Sequence, residues 1–395
     1  MRQVYLDNSS ATKLHPEVAG LMTSLLKEHL ANPSSLHGPG RRAKEVLDEA
    51  RGQVAGLIGA GPEEIIFTSS GTEANNLAMK GMAMAYKNKG KHIITSEIEH
   101  FSVLNPLARL EKMGFNVTKV PVDSTGLVDP ADVEKAITPE TIFASIMLAN
   151  GEMGTIEPIK DIAAVLKKKG VLLHTDAIAA VGNIPVDVNE LGVNVDALSL
   201  SANQFYGPMG AGALFVRKGV RVRPQIDGGV QEGGKRAGSE NLLGIAGMGK
   251  AAELAAKGMP ERAKKLASLR DSLRDKITQN IDYIHLTGHP TKRLPGSLSL
   301  CVEFVEGESL LLFLDMQGIA VTSGSACTSR ALKASHVLLA MGVDIAVAQG
   351  SLHLSLGTDI TEEDVDHVAE AMPPIAERLR QMSPLYEKVV KEVKA

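Results

Sequence analysis

Residues 197–214 read ALSLSANQFYGPMGAGAL. An apolar strand ends at Leu200, and a polar turn follows over Ser201-Ala202-Asn203-Gln204. Tyr206-Gly207-Pro208 then leads through glycines into a second strand, Gly212 to Val216. Upstream, the short apolar run Val171 to Thr175 ends in Asp176. Two strand ends that deliver an acid and a polar turn to one crevice describe a ligand site of an open α/β sheet, where sites lie beyond the carboxyl ends of the strands.

Outward from this stretch the chain alternates. Strands are expected at Ile65–Thr68, His92–Thr95, Val117–Val120 and Ile142–Met147, and helices at Thr72–Lys87, Val103–Met113, Pro130–Ala136 and Ile159–Lys168. That order implies an α/β fold with a mostly parallel, mixed sheet covered on both faces. Beyond the Gly-rich return, Ser239–Lys257 and Pro260–Lys276 read as consecutive helices, and a domain change is placed near Gly258. A sparser order of strand and helix follows, with strands at Leu298–Phe304 and Leu352–Ser355 and a final helix at Glu362–Met382. The expected division is a large domain of residues 15–258 and a smaller α+β domain made of 1–14 and 259–395.

The chain of 395 residues is long enough for two full cores, which must rest on aliphatic side chains because only 3% is aromatic and Trp is absent. A net charge of -4 gives no reason to expect nucleic acid or an anionic membrane as partner. The start, MRQVYLDNSS, has no apolar core of a signal peptide, and no run long enough to span a bilayer occurs, so a cytoplasmic protein is expected. The two cysteines cannot build a disulfide framework or, unaided, a zinc site. Cys301, in SLSLCVEFV, reads as a core thiol, whereas Cys327 lies in the small, polar stretch SGSACTSRALKASH.

Thr175-Asp176-Ala177, followed by Ser201 and by Phe205-Tyr206-Gly207-Pro208, resembles the cofactor site of the class V aminotransferases, specifically the NifS/IscS-type cysteine desulfurases. The likeness runs from Tyr5-Leu6-Asp7-Asn8 to the last helix and implies the fold type I architecture of pyridoxal phosphate (PLP) transferases. Ser69-Ser70-Gly71-Thr72-Glu73 follows a strand and opens a helix; alone it could be a plain helix cap, but the resemblance makes Gly71 and Thr72 a phosphate seat. Ser201 and, across a homodimer interface, Ser239 match further phosphate donors. His100 matches the ring-stacking histidine, and Asp176 the acid that keeps the pyridine nitrogen protonated.

This chain departs from the family where chemistry is done. Gln204 stands where the family has the Schiff-base lysine, and an amide cannot condense with an aldehyde. Asn203 replaces the adjacent histidine, Gly151 replaces an asparagine, and Ala179 a glutamine. Thr358 is read at the place of the arginine that grips the substrate carboxylate. Lys235 is the nearest alternative amine in a matched motif. The Ser323–Ser329 stretch, by contrast, resembles the family's sulfur-accepting loop, with Cys327 as persulfide carrier or thiolate ligand to metal. Two functions are therefore carried forward. One is a sulfur carrier or cluster ligand, partnered by an iron-sulfur scaffold protein or another sulfur acceptor, with PLP noncovalent if bound and an iron-sulfur cluster shared with the partner. The other is a working PLP-dependent desulfurase acting on L-cysteine.

Overall fold

Apolar runs become strands and periodic stretches become helices in a computed structural model that describes residues 2–190, 195–324 and 334–387. In chain order the elements are β1 (Val4–Tyr5), α1 (Pro16–Lys27), α2 (Gly38–Leu57), β2 (Ile65–Thr68), α3 (Gly71–Tyr86), β3 (His92–Ser96), α4 (Phe101–Glu111) and β4 (Asn116–Val120). They continue with α5 (Pro130–Ala136), β5 (Thr141–Ser145), α6 (Ile159–Lys168), β6 (Leu172–Asp176), β7 (Ala197–Ser201), β8 (Gly212–Val216) and α7 (Leu242–Asn280). The remainder comprises β9 (Ile284–Leu286), β10 (Ser297–Val302), α8 (Gly307–Asp315), β11 (Ile319–Ala320), α9 (His336–Ala340), α10 (Ile345–Ala348), β12 (Ser351–Ser355) and α11 (Glu362–Gln381).

Seven strands form one mixed, mostly parallel sheet in the order β2-β8-β7-β6-β5-β3-β4. Only β8 runs against its neighbours, β2 and β7. Every residue of β2, β3, β7 and β8 is buried, because helices cover both faces, as a parallel sheet requires. On one face Leu77, Met79 and Met82 of α3 and Val103 and Leu107 of α4 pack with Ile66, Ile93 and Phe143. On the other, Val54, Ile162 and Met248 close over Phe67, Leu173 and Leu198.

A three-stranded antiparallel sheet, β12-β10-β9, carries a second core in which Leu298, Leu300, Leu352 and Leu354 meet Leu266, Leu269 and Leu273 of α7 and Val365, Val368 and Met372 of α11. Leu6, beside β1, joins this core, and Asp7 bridges to Ser355. The two helices expected on either side of Gly258 are one 39-residue helix, α7. Pro260 has no N–H to donate and an interior proline costs about 3 kcal/mol. Burial of Ala251, Ala252 and Ala255 in one core and of Leu266, Leu269, Leu273 and Ile277 in the other offsets that cost. Among the described residues, no helix is long and apolar enough to cross a membrane.

Candidate active site

The parallel strands all end at one edge, so the residues that follow them converge there. After β2, Ser70 caps α3, its hydroxyl accepting from Glu73 N at 3.1 Å. Gly71 N donates to Ser201 Oγ at 3.4 Å, across from the end of β7. Glycine is needed twice in this corner. A Cβ on Gly71 would lie 2.3 Å from Ile178 Cδ1, and one on Gly212 would lie 2.5 Å from the Ser70 carbonyl carbon. Thr72, exposed in the first turn, adds a hydroxyl beside the positive end of the helix. Arg236 Nε donates to Glu73 Oε1 at 2.8 Å. Burial raises the Glu73 pKa, but hydrogen bonds from Arg236 and Ser69 outweigh it and hold the carboxyl below its ordinary value.

A buried polar chain runs sideways from β6 to α4. Asn75 Nδ2 donates to Asp176 Oδ2 at 2.7 Å and to Ser102 Oγ at 2.8 Å, and Ile178 N donates to Asp176 Oδ1 at 3.0 Å. His100 Nδ1 lies 2.7 Å from Ser102 Oγ and accepts from Ser102 N at 3.1 Å. With Nδ1 accepting, a neutral imidazole carries its proton on Nε2. Burial raises the Asp176 pKa, against the opposing pull of these hydrogen bonds and of His100. A buried carboxylate of this kind is stabilised by a cationic or N–H-bearing ring placed beside it.

The polar turn after β7 is tied to the N-terminal segment rather than left open. Gln204 is buried, and its Nε2 donates to Ser9 O at 2.8 Å. Asn203 Nδ2 donates to Ser10 O at 3.2 Å, its Oδ1 accepts from Ser201 Oγ at 2.6 Å, and its carbonyl accepts from Thr12 N at 2.8 Å. Tyr206, with φ +66°, holds the left-handed conformation that lets the chain reverse, and its N–H bonds to Thr12 Oγ1 at 2.8 Å. The amide of Gln204 thus has an acceptor and a fixed place.

Beside Gln204 is a small cavity of about 50 Å³, whose walls include Ser9, Gly151, Ala179, Ser297 and His353. His353 is buried, with Nδ1 3.2 Å from Ser9 Oγ and Nε2 3.1 Å from Ser297 Oγ. Burial, aided by Arg293, pushes its pKa down to about 4, so the ring is neutral at physiological pH. Thr358, read from the sequence at the place of the family's carboxylate-gripping arginine, is exposed. Its N–H donates to Tyr206 Oη at 3.0 Å and its carbonyl accepts from Lys265 at 3.1 Å. His353 was missed by sequence reasoning, although the alternation Leu352-His353-Leu354-Ser355 carried the signal, since leucines on one face leave the histidine to the other.

The structure brings Gly71 and Ser201 together, joins Asp176 to His100 through Asn75 and Ser102, and sets Asn203 and Gln204 in the adjoining turn. Ser239 is exposed on the segment before α7. Lys235 lines a different cleft, with Arg41, Arg51 and Glu232. Cys301 is buried in β10, and burial, with Glu152 and Glu303 nearby, raises its thiol to about 12. Cys327 lies outside the described residues. Among the described residues, no group of three or more His, Cys, Asp or Glu is placed to hold a metal ion.

A family model described as aminotransferase class-V matches residues 4–368. The chain is 49% identical over 383 residues to a cysteine desulfurase IscS of Dictyoglomus turgidum, covering 97% of each chain. It is 48% identical to the cysteine desulfurase IscS of Methanosarcina thermophila, covering 98% of this chain and 95% of the other. Its structure resembles that of a NifS-like protein, with a TM-score of 0.90 and 38% identity over 96% of this chain and 100% of that one.

Proposed function

The chain belongs to the class-V aminotransferase family and, within it, to the NifS/IscS-type cysteine desulfurases, and on that premise we propose that it handles sulfur without ordinary desulfurase turnover. In this reading a cytoplasmic homodimer uses Cys327 to carry sulfur to an iron-sulfur scaffold or other acceptor, or to supply a thiolate to a cluster shared with it. As carrier, the Cys327 thiolate attacks the outer sulfur of a donor persulfide. The donor's S–S bond breaks, the donor leaves as its thiolate, and Cys327 holds the transferred sulfur with no net oxidation.

The observation that carries this reading is Gln204, a buried amide bound to Ser9 O at 2.8 Å where the family attaches its cofactor. The family depends on PLP, which when bound supplies an electron sink. The residues present suit its noncovalent parts. Asp176 would accept from the ring nitrogen, Thr72, Gly71 and Ser201 would hold the phosphate, His100 would lie against the ring, and Ser239 would add a donor across the dimer. They do not suit covalent attachment. Nor do the described residues of the cavity beside Gln204 offer a cation to an amino-acid carboxylate, because His353 is neutral and no lysine or arginine is among them. A second reading, noncovalent PLP in a working enzyme that converts L-cysteine to alanine, is favoured by the intact chain from Asp176 through Asn75 and Ser102 to His100.

The test is persulfide labelling of the intact protein after incubation with a persulfide donor, alone and with an iron-sulfur scaffold. Label should appear on Cys327 and pass to the scaffold. A Cys327→Ala variant that still accepts sulfur and still supports cluster assembly would overturn the carrier reading.

A further inference from the structure

We propose that the groove between α3 and α4 is a second anion site, taking a phosphate group between Lys80 and Arg109. The groove, of about 420 Å³, is lined by Thr72, Asn76 and Lys80 of α3 and by Asn105 and Arg109 of α4, with His100 at its mouth. Residues 72, 76 and 80 recur every four positions, as do 101, 105 and 109, so each set lies along one helix face. Both helices follow strands of like direction and therefore run the same way. Lys80 and Arg109 stand eight residues beyond Thr72 and Phe101, about 12 Å along their axes. The two cations line one groove, close enough for the charge of Arg109 to act on Lys80, two turns along α3 from the seat at its first turn.

Among the described residues, no carboxylate lines the groove. Some cations on other helices are paired one turn away, as in Lys44 with Asp48, Lys257 with Glu253 and Arg274 with Asp271. Here the residue four positions before each cation is an asparagine, Asn76 or Asn105, which neutralises nothing. Lys80 Nζ donates to Asn76 Oδ1 at 2.6 Å, and among the described residues the Arg109 guanidinium, exposed on α4, is seen in no ion pair or side-chain hydrogen bond. Burial and then the charge of Arg109 hold the Lys80 pKa below its ordinary value. Two like charges facing one groove repel, and an anion between them removes the cost. The ammonium, the guanidinium fork and the free Asn105 amide suit a tetrahedral dianion better than a single carboxylate, because three separate donors need three acceptor oxygens.

The site goes beyond the proposed sulfur chemistry and does not depend on it. It is tested by calorimetric titration of the full chain with inorganic phosphate, against chloride at equal ionic strength. One phosphate per chain should bind in the groove, apart from any taken by the seat of Gly71, Thr72 and Ser201, and Lys80→Gln and Arg109→Gln should each weaken that groove binding about tenfold. Arg109→Lys, which keeps the charge, should recover part of that loss. Thr72→Ala should leave phosphate binding in place while weakening that of PLP. Arg109 is exposed and Lys80 partly so, and unchanged thermal midpoints for the variants would show that folding is intact. A repeat titration with PLP present separates the two sites: independent binding of phosphate and PLP is expected, and competition would place the phosphate in the seat at the first turn of α3 and overturn the proposal. No binding to the parent chain, or binding lost in Thr72→Ala and kept in both charge variants, would overturn the proposal.

Discussion

Gln204→Lys puts an amine at the position proposed as the family's point of PLP attachment, and its cost follows from the surroundings. The amide now donates to Ser9 O at 2.8 Å in a buried turn. An ammonium there could still reach that carbonyl, but among the described residues no acid lines the adjoining cavity. Desolvation without a carboxylate drives a lysine pKa down. A depression of about 3 units corresponds to about 4 kcal/mol lost at pH well below the folded value. The sign is fixed by linkage. Between the folded and unfolded pKa values the unfolded chain binds more protons, so stability should rise with pH in that window and stay level, at the full loss, below it. Adding PLP consumes the neutral amine and should restore the loss. The assay is urea denaturation of parent and variant at pH 7 and pH 9, with and without PLP, followed by borohydride reduction and peptide mapping. PLP should raise the midpoint of the variant more than that of the parent, and a pyridoxyl group should be found at position 204. Equal stabilisation of both chains, with no label there, would refute the reasoning.

Glu99 is fully buried, with one oxygen held by Ser96 Oγ at 2.7 Å and Met147 N at 2.9 Å and the other unpartnered; burial raises it to about 8. The folded chain therefore holds a proton that the unfolded chain loses near pH 4 to 5, and stability should fall as pH rises from there to about 8, by up to about 1.4 kcal/mol per pH unit. Glu99→Gln should flatten that slope in chemical denaturation across pH 5 to 8. Gly212→Ala should destabilise more than Gly71→Ala, by about 2 kcal/mol against about 1 by thermal melting, because it meets the Ser70 backbone while the other meets the movable end of Ile178. Brief alkylation of the native protein should modify Cys327 and spare Cys301, which reacts only on unfolding; mass spectrometry of the peptides reads both.

The alternation from Ile65 to Asp176 was legible because each strand is an apolar run bounded by turns and each helix a periodic one. The gathering of Gly71, Asp176 and Ser201 was legible too, since parallel strands share an edge. The helical reading on both sides of Gly258 was legible, and packing into two cores carries α7 as one helix past Pro260. The pieces β9 and α10, of three and four residues, are too short to show a period. Asn75 and Ser102 lie 27 residues apart, and nothing in their spacing announces the bond that links Asp176 to His100. Thr358 was assigned by motif, whereas β12 turns His353 toward the cavity, a distinction that only strand register decides. Asn76 and Asn105 looked like ordinary helix surface until the helices were set side by side.

Alanine formation from L-cysteine by the purified protein, with PLP in excess, tests the central claim most directly. Rates no higher than those of free PLP are predicted, because Gln204 supplies no amine and the cavity beside it supplies no charge for the substrate carboxylate. Protein-dependent, multiple-turnover formation of alanine would contradict the account.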